Sequence, residues 1–212
     1  MEVLDRRAHL KDRELYKTFY DIDTQPGTAT LMEPYEPRLR WALKHIRPYD
    51  NVLDVGCHKG EMTRHLKKIT TGRVVGLDIA KHAIDYARKV CPDVEWVRGD
   101  AEELPPEWRN LFDVVILSEI LEHVVDPEKV VAEAERVCRP RGTIVISVPT
   151  RAIEMDRHEA KWRDTLGLAL DMHVREYNPD DHFSDRPGYR SYEGAVAGYP
   201  WTWKLASYWV EK

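Results

Sequence analysis

The chain has 212 residues and a formal net charge of −5, and 42% of its residues are hydrophobic. This length fits one α/β domain with an added cap, and the apolar fraction is sufficient for a real core. No apolar run approaches the roughly 20 residues that a membrane-spanning helix needs, and the negative charge disfavours a broad nucleic-acid-binding surface. Cys57, Cys91 and Cys138 are too few and too scattered for a disulfide framework or a zinc site, so we expect reduced thiols and a cytoplasmic protein.

The first 47 residues predict a helical cap. Residues 5–20 mix charges with apolar and aromatic side chains at helical spacing, and residues 21–37 contain the prolines and the glycine of a loop. A second helix is predicted over residues 36–46. The aromatic residues of the first helix fit either a lid over a ligand or packing on the core, and both interpretations stay open.

Residues 51–148 alternate between apolar, β-branched segments and amphipathic segments. The predicted strands are 51–56, 73–79, 94–99, 112–118 and 142–148. The predicted helices are 60–69, 81–90 and 127–138. Strands separated by helices form a parallel sheet covered on both faces, and their carboxyl ends meet at the edge where ligands bind.

The pattern is less regular after Pro149. We predict a helix over 152–171, turns over 178–188, and a closing pair of strands over 189–196 and 205–210.

The predicted fold class is therefore α/β. It is a Rossmann-like, doubly wound, mostly parallel seven-stranded sheet with a C-terminal antiparallel strand pair. We expect a single domain over residues 1–212, in which residues 1–47 form the cap, 48–150 the cofactor-binding core, and 151–212 the substrate side.

Residues 51–60 have the pattern of a strand, a glycine-rich turn and a helix. Gly56 and Gly60 let the backbone approach a ligand closely, and the helix amides point into the turn. Asp78 closes the next strand, 18 positions after Gly60, where a ribose-binding carboxylate lies in a doubly wound sheet. The pattern predicts a nucleoside-type ligand.

A nicotinamide cofactor is disfavoured at this turn. The order Asp54-x-Gly56-x-x-x-Gly60 differs from Gly-x-Gly-x-x-Gly, and Asp54 would repel a pyrophosphate.

Four stretches in order carry a resemblance to a known family. They are residues 53–60 (LDVGCHKG), 75–79 (VGLDI), 98–105 (RGDAEELP) and 112–123 (FDVVILSEILEH). Together they resemble the class I S-adenosylmethionine-dependent methyltransferases over roughly residues 40–150, and residues 139–149 fit the usual fifth strand of that family.

The resemblance implies S-adenosyl-L-methionine as cofactor. Asp54 would bind its ammonium group, Asp78 its ribose hydroxyls and Asp100 its adenine amino group, while Ala101 would offer a backbone donor and Ile79 would pack on the purine. The implied cofactor-binding positions are Asp54, Gly56, Cys57, His58, Gly60, Asp78, Ile79, Asp100, Ala101 and Ser118.

His58 departs from the pattern, because the family usually has glycine there. If this position requires a positive φ, histidine is tolerated at a cost. Its imidazole would then lie over the cofactor carboxylate or face solvent.

Glu119, Glu122 and His123 follow the fourth strand, over the reactive crevice. If a helical turn begins there, the two carboxylates share one face, and His173 is the best candidate to join them. Such a set could hold a divalent metal such as Mg²⁺. The E-x-x-E-H arrangement resembles ubiquinone-pathway O-methyltransferases and small-RNA 3′-terminal 2′-O-methyltransferases, which use it with a metal.

Two other interpretations of this set stay open. His123 or His173 could act as a metal-free general base, with Glu119 as a further catalytic candidate, or the residues could be purely structural.

The sequence thus predicts in-line methyl transfer to a small hydroxylated acceptor. The alternatives are a metal-dependent RNA 2′-O-methyltransferase and a non-catalytic S-adenosylmethionine-binding module. We expect a small-molecule partner, no membrane and no nucleic acid, and a homodimer is left open.

Overall fold

A computed structural model describes residues 37–150, 175–195 and 202–211. The helices predicted over 5–20 and 152–171 lie outside these residues.

The described residues form a seven-stranded sheet with helices on both faces. The strands are β1 (Val52–Val55), β2 (Val74–Asp78), β3 (Glu95–Arg98), β4 (Phe112–Ser118), β5 (Cys138–Pro149), β6 (Arg190–Ala195) and β7 (Thr202–Trp209). The helices are α1 (Pro37–Leu43), α2 (Glu61–Lys67), α3 (Lys81–Val90), α4 (Pro127–Val137) and α5 (Pro179–Phe183).

The strand order is β3-β2-β1-β4-β5-β7-β6. The first five strands pair in parallel, whereas β7 is antiparallel to both β5 and β6. The predicted fold class and its C-terminal antiparallel pair are therefore confirmed.

Two apolar cores cover the faces of the sheet, as a parallel sheet requires. On one face, α1, α2 and α3 pack against alternate residues of the central strands, including Val52 and Ile116. On the other face, α4 and α5 pack against the intervening residues, including Leu53 and Leu117. The carboxyl ends of the parallel strands share one edge, so the loops that follow them build one common crevice.

Local sequence signals explain where the helices form. In α4, Asp126 accepts a hydrogen bond from the amide of Lys129 at 3.0 Å, and Pro127 occupies the first helical position. The buried residues of this helix, Val130, Val131, Ala134 and Val137, recur at helical spacing.

The predicted starts of two strands were wrong. β5 begins at Cys138 instead of residue 142, because Cys138 already pairs with Phe112 before an irregularity in the register. β7 begins at Thr202 instead of residue 205, since Trp203 pairs with Pro149.

A short helix, α5, interrupts the segment predicted as turns over 178–188. The side chain of Asn178 accepts from the amide of Asp180 at 3.2 Å, and Pro179 follows as the first helical residue. This cap-then-proline signal was present in the sequence and was not used.

Within the part of the chain described here, no helix is long and apolar enough to cross a membrane.

Candidate active site

The candidate site lies where the order of the strands reverses. From β1 the chain proceeds to β2 and β3 on one side, and then returns to place β4 on the other side of β1. At such a switch point the loops after neighbouring strands separate and leave a crevice at the carboxyl edge. The turn after β1 and the segment after β4 border that crevice.

The turn after β1 is held by backbone hydrogen bonds to β2. The amides of Gly56 and Cys57 both donate to the carbonyl of Leu77, at 2.8 and 3.0 Å. Gly56 and Gly60 both have a φ of +77°, in the left-handed region that favours glycine. The turn therefore needs glycine for its backbone conformation.

Close packing restricts the same two glycines. A Cβ on Gly60 would lie 2.1 Å from Cη2 of Trp96, and a Cβ on Gly56 would lie 2.8 Å from Cδ1 of Ile120. Ile120 follows β4, so the turn after β1 and the segment after β4 are in contact across the crevice.

His58 has a φ of +48°, so this position does require a positive φ, and histidine occupies it in place of the glycine usual in the family. Its backbone amide donates to Oδ2 of Asp78 at 2.7 Å. This hydrogen bond offsets part of the cost of a left-handed residue that has a Cβ.

The carboxylate of Asp78 is fixed at the end of β2. Besides the His58 amide at Oδ2, the amide of Ala80 donates to Oδ1 at 2.8 Å. Burial raises the pKa of Asp78, while these two backbone hydrogen bonds favour its ionised form. Each oxygen accepts one backbone hydrogen bond and has a second lone pair for a ligand.

Asp54 lies beneath the glycine turn and is only 2% exposed. The Thr63 hydroxyl donates to its Oδ2 at 2.5 Å, and burial raises the pKa of Asp54 to about 7. The negative charge of Asp78 adds to this increase. A ligand cation above the turn would favour the ionised form.

Asp100 follows β3, next to Asp78. The amide of Gly99 donates to the Asp78 carbonyl at 3.0 Å, and Oδ1 of Asp100 accepts from the amide of Glu102 at 2.9 Å. Ala101 is buried beside it, and Ile79 is half-buried. The structure therefore brings Asp54, Asp78 and Asp100 to the ends of neighbouring strands.

A second set of contacts holds the segment after β4. The hydroxyl groups of Ser118 and Ser147 are 2.8 Å apart, and the Ser147 hydroxyl donates to Oε1 of Glu119 at 3.1 Å. The indole N–H of Trp203 donates to Oε2 of Glu119 at 2.8 Å, and the Arg38 guanidinium lies 3.4 Å from the same oxygen. Glu119 thus links α1, β5 and β7.

The helical turn expected at Glu119 does not form there. Glu119 has a φ of +54°, and the turn runs from Ile120 to His123, whose amide donates to the Ile120 carbonyl at 2.9 Å. The expectation that Glu119 and Glu122 share a helical face was therefore wrong, because the left-handed residue ends the strand before the turn begins.

Glu122 and His123 remain close to each other. Glu122 is fully buried, and its Oε1 lies 3.8 Å from Nε2 of His123, whose side chain is 14% exposed.

The described residues contain no cluster of three His, Cys, Asp or Glu side chains that could hold a metal ion. Glu119 is occupied by its contacts with Trp203, Ser147 and Arg38. His173 lies outside the described residues. The described part of the chain therefore does not bring the predicted metal ligands together.

A separate cleft of about 400 Å³ opens at the carboxyl end of β5. Its lining includes Pro149 at the end of β5 and Thr150 just after it, Tyr177 and His182 from around α5, and Lys204 from β7. It lies at the same edge of the sheet as the crevice, within the region predicted to face the substrate.

The sequence of this chain is similar to those of known proteins. Residues 53–146 match the family model of the methyltransferase domain. Over 150 residues the chain is 35% identical to a ubiquinone biosynthesis O-methyltransferase of Aliivibrio fischeri, a match that covers 68% of this chain and 63% of that protein. Residues 53–146 are therefore a methyltransferase domain, similar to those of the class I S-adenosylmethionine-dependent methyltransferases.

A second relative is similar over a comparable length. It is an uncharacterized 37.1 kDa protein from transposon Tn4556 of Streptomyces fradiae, 33% identical over 161 residues, covering 70% of this chain and 46% of that protein. The chain therefore spans about half to two thirds of the length of these curated relatives.

Solved structures share the fold of this chain. The YcgJ protein of Bacillus subtilis superposes with a TM-score of 0.64 at 16% identity, covering 82% of this chain and 98% of that one. The PH0226 protein of Pyrococcus horikoshii gives a TM-score of 0.60 at 20% identity, covering 80% and 86%.

Sequence reasoning missed several residues of this candidate site. Thr63 could have been found, because it lies one helical turn after Gly60 and faces the core. Arg38, Ser147 and Trp203 contact Glu119 from distant parts of the chain, and no local pattern signals them.

Proposed function

We propose that this chain is an S-adenosylmethionine-dependent O-methyltransferase that acts on a small hydroxylated acceptor by in-line methyl transfer. The observation that carries the proposal is the geometry of Asp78. Two backbone amides orient its carboxylate at the switch point, and each oxygen retains a lone pair for a ribose hydroxyl. The family supports the cofactor, and the name of the Aliivibrio relative supports transfer to oxygen on a small molecule.

The residues at the crevice fit the parts of the cofactor. Asp78 would accept from the ribose hydroxyls, and Asp100 with the Ala101 backbone would bind the adenine edge above Ile79. Asp54 would face the ammonium group, and Gly56 and Gly60 would leave space for the methionyl part. Cys57, His58 and Ser118 would complete the wall of the site.

When bound, S-adenosylmethionine supplies a methyl group on a cationic sulfur that leaves as a neutral thioether. The protein must therefore align the acceptor and remove its proton. We assign removal of the acceptor's proton to the imidazole of His123. Glu122, whose Oε1 lies 3.8 Å from Nε2 of His123, would stabilise the resulting imidazolium. Its contacts with Trp203, Ser147 and Arg38 make Glu119 a positioning residue in this scheme.

The acceptor is proposed to enter from the side of the cleft at the carboxyl end of β5. This cleft and the segment after β4 belong to the same edge of the sheet, and Arg175 joins them by donating to the Val125 carbonyl at 3.1 Å. His173 stays a candidate base that the described residues do not include. No step is assigned to a metal, because Glu119 is occupied by other contacts.

No specific observation favours the alternative functions. The net charge of −5 disfavours RNA as the acceptor, and the matched relatives include O-methyltransferases, which does not favour a non-catalytic module. The cytoplasmic location and a homodimer stay predictions.

Titration calorimetry with S-adenosylhomocysteine tests the cofactor site. We expect micromolar binding to the wild type and a loss of about 100-fold in Asp78→Ala, because two hydrogen bonds to a charged acceptor disappear. Asp85→Ala is the matched control. Asp85 is paired with Lys81 on the surface of α3, away from the crevice, and its loss should leave binding unchanged.

Turnover tests the rest of the proposal. Release of S-adenosylhomocysteine would be followed with a panel of small phenols, catechols and alcohols. Equal binding by wild type and Asp78→Ala would refute the site, and binding without turnover on every acceptor would refute the enzymatic function.

A further inference from the structure

His82 is a half-buried histidine whose role the cofactor scheme above does not explain. It is the second residue of α3, four positions after Asp78. Both ring nitrogens are buried, and neither has a hydrogen-bond partner within the part of the chain that the structure describes. A neutral imidazole has one N–H donor and one acceptor nitrogen, and leaving such groups buried without partners is costly. Buried polar atoms without partners need an explanation, and hydrogen bonding to a ligand is one.

The ring of His82 lies at the sugar end of the proposed cofactor site. Its centroid is 6.4 Å from that of His58, and the two rings are nearly perpendicular, at 80°. The amide of His58 donates to Asp78, so the contact between the two rings involves a residue that holds this carboxylate. Burial raises the pKa of Asp78, whereas both imidazoles act to lower it.

The hydrogen-bonding capacity of Asp78 indicates what is missing. Its oxygens can accept from the hydroxyl groups of a ribose, since each already binds only one backbone amide. A hydroxyl group that donates to a carboxylate still has lone pairs on its own oxygen. Those lone pairs can accept a hydrogen bond from a donor. The ring N–H of His82 is a donor without an acceptor in the described residues.

We propose that His82 donates a hydrogen bond to one hydroxyl oxygen of the cofactor ribose, while that hydroxyl donates its proton to Asp78. This inference rests on the proposed function, because it assumes the sulfonium nucleoside in the crevice. His82 thereby becomes a residue that recognises the intact sugar, next to the acidic residue that the family pattern already indicates.

The test compares ligands that differ in one hydroxyl group. His82→Phe keeps an aromatic ring and removes both nitrogens. Wild type and variant are titrated with S-adenosylhomocysteine and with its 2′-deoxy and 3′-deoxy analogues. We expect His82→Phe to weaken S-adenosylhomocysteine binding about tenfold. For the analogue that lacks the hydroxyl group bound by His82, wild type and variant should bind equally.

His45→Phe is the matched control. His45 also has a buried nitrogen without a partner, but its ring packs on Trp41, 5.0 Å between centroids, far from Asp78 in the fold. This variant should bind all three ligands like the wild type. Thermal unfolding checks that both variants fold, and His82→Leu replaces His82→Phe if the latter does not.

Different results would overturn different statements. Wild-type affinity of the folded His82 variant for S-adenosylhomocysteine refutes the hydrogen bond. An equal loss for all three ligands refutes it too, because the loss would then be independent of the hydroxyl groups. In both cases the proposed function survives. If the wild type itself fails to bind S-adenosylhomocysteine, the proposed function and this inference both fail.

Discussion

The two sides of the crevice are built in different ways. On the β1–β2 side, two amides of the glycine turn donate to the Leu77 carbonyl, and the amides of His58 and Ala80 donate to the Asp78 carboxylate. On the β4 side, Glu119 is held by Trp203, which is 84 residues away in the chain, and by Arg38. The first side has a conformation that its own sequence specifies, whereas the second depends on distant partners. We therefore expect changes on the first side to impair cofactor binding, and changes on the second side to lower stability with little effect on binding.

The largest expected effect concerns the glycine turn. Gly60→Ala places a Cβ 2.1 Å from the Trp96 ring at a φ of +77°. We expect a loss of roughly 3 kcal/mol in the free energy of unfolding, from the left-handed conformation and overpacking together, and no measurable binding of S-adenosylhomocysteine. Urea unfolding and calorimetry measure both quantities.

Gly99→Ala is the control for this variant. The added Cβ would lie 3.0 Å from Cδ1 of Leu77, the end of a flexible side chain, so the cost should stay below about 1 kcal/mol. If Gly60→Ala were as mild as Gly99→Ala, the turn would not be as rigid as its packing indicates.

The next effect concerns Asp54. With a pKa of about 7 it is mostly protonated at pH 6, and a bound ammonium group favours the ionised form. Binding must then release a proton below pH 7, and the affinity for S-adenosylhomocysteine should fall about eightfold between pH 7.5 and 6. Asp54→Asn should lose this part of the pH dependence.

Calorimetry in buffers of different ionisation enthalpy counts the released protons. An affinity of the wild type that is constant over this pH range would contradict the contact between Asp54 and the ammonium group.

The β4 side should show its effect in stability. We expect a coupling of about 1–2 kcal/mol between Glu119→Gln and Trp203→Phe in a double-mutant cycle, because the indole N–H donates to the carboxylate. The affinity for S-adenosylhomocysteine should change less than about twofold. A binding free energy that changed by about 1.4 kcal/mol would instead change the affinity tenfold. Trp209→Phe, on the exposed end of the same strand, should show no coupling to Glu119. A large loss of binding in Glu119→Gln would remove the contrast between the two sides.

The smallest expected effect is that of a chelator. Since the Glu119 carboxylate is held by Trp203, Ser147 and Arg38, turnover should be the same with and without excess EDTA. Loss of turnover in EDTA and its recovery with Mg²⁺ would instead support the metal set predicted from the sequence.

The same contrast explains what the sequence could predict. The order of strands and helices, Gly56, Gly60, and the acidic residues at the strand ends depend on local patterns, and the structure contains them in the expected places. The prediction that Glu119 and Glu122 share a helical face was wrong, because Glu119 has a left-handed conformation. That conformation is linked to contacts with β5 and β7, which are distant in sequence and leave no local pattern around residue 119. His82 was missed because a histidine on a helix carries no signal of its own. The lack of hydrogen-bond partners for its ring nitrogens is visible only in the three-dimensional structure.

The contact between Trp203 and Glu119 also bears on synthesis by the ribosome. A nascent chain that has emerged as far as residue 150 already contains β1 to β5 and the whole glycine turn. It still lacks the indole that holds Glu119, so the loop after β4 can adopt its final shape only after translation has passed residue 203. Until then the growing polypeptide would have a formed nucleoside pocket beside an unfinished reactive loop.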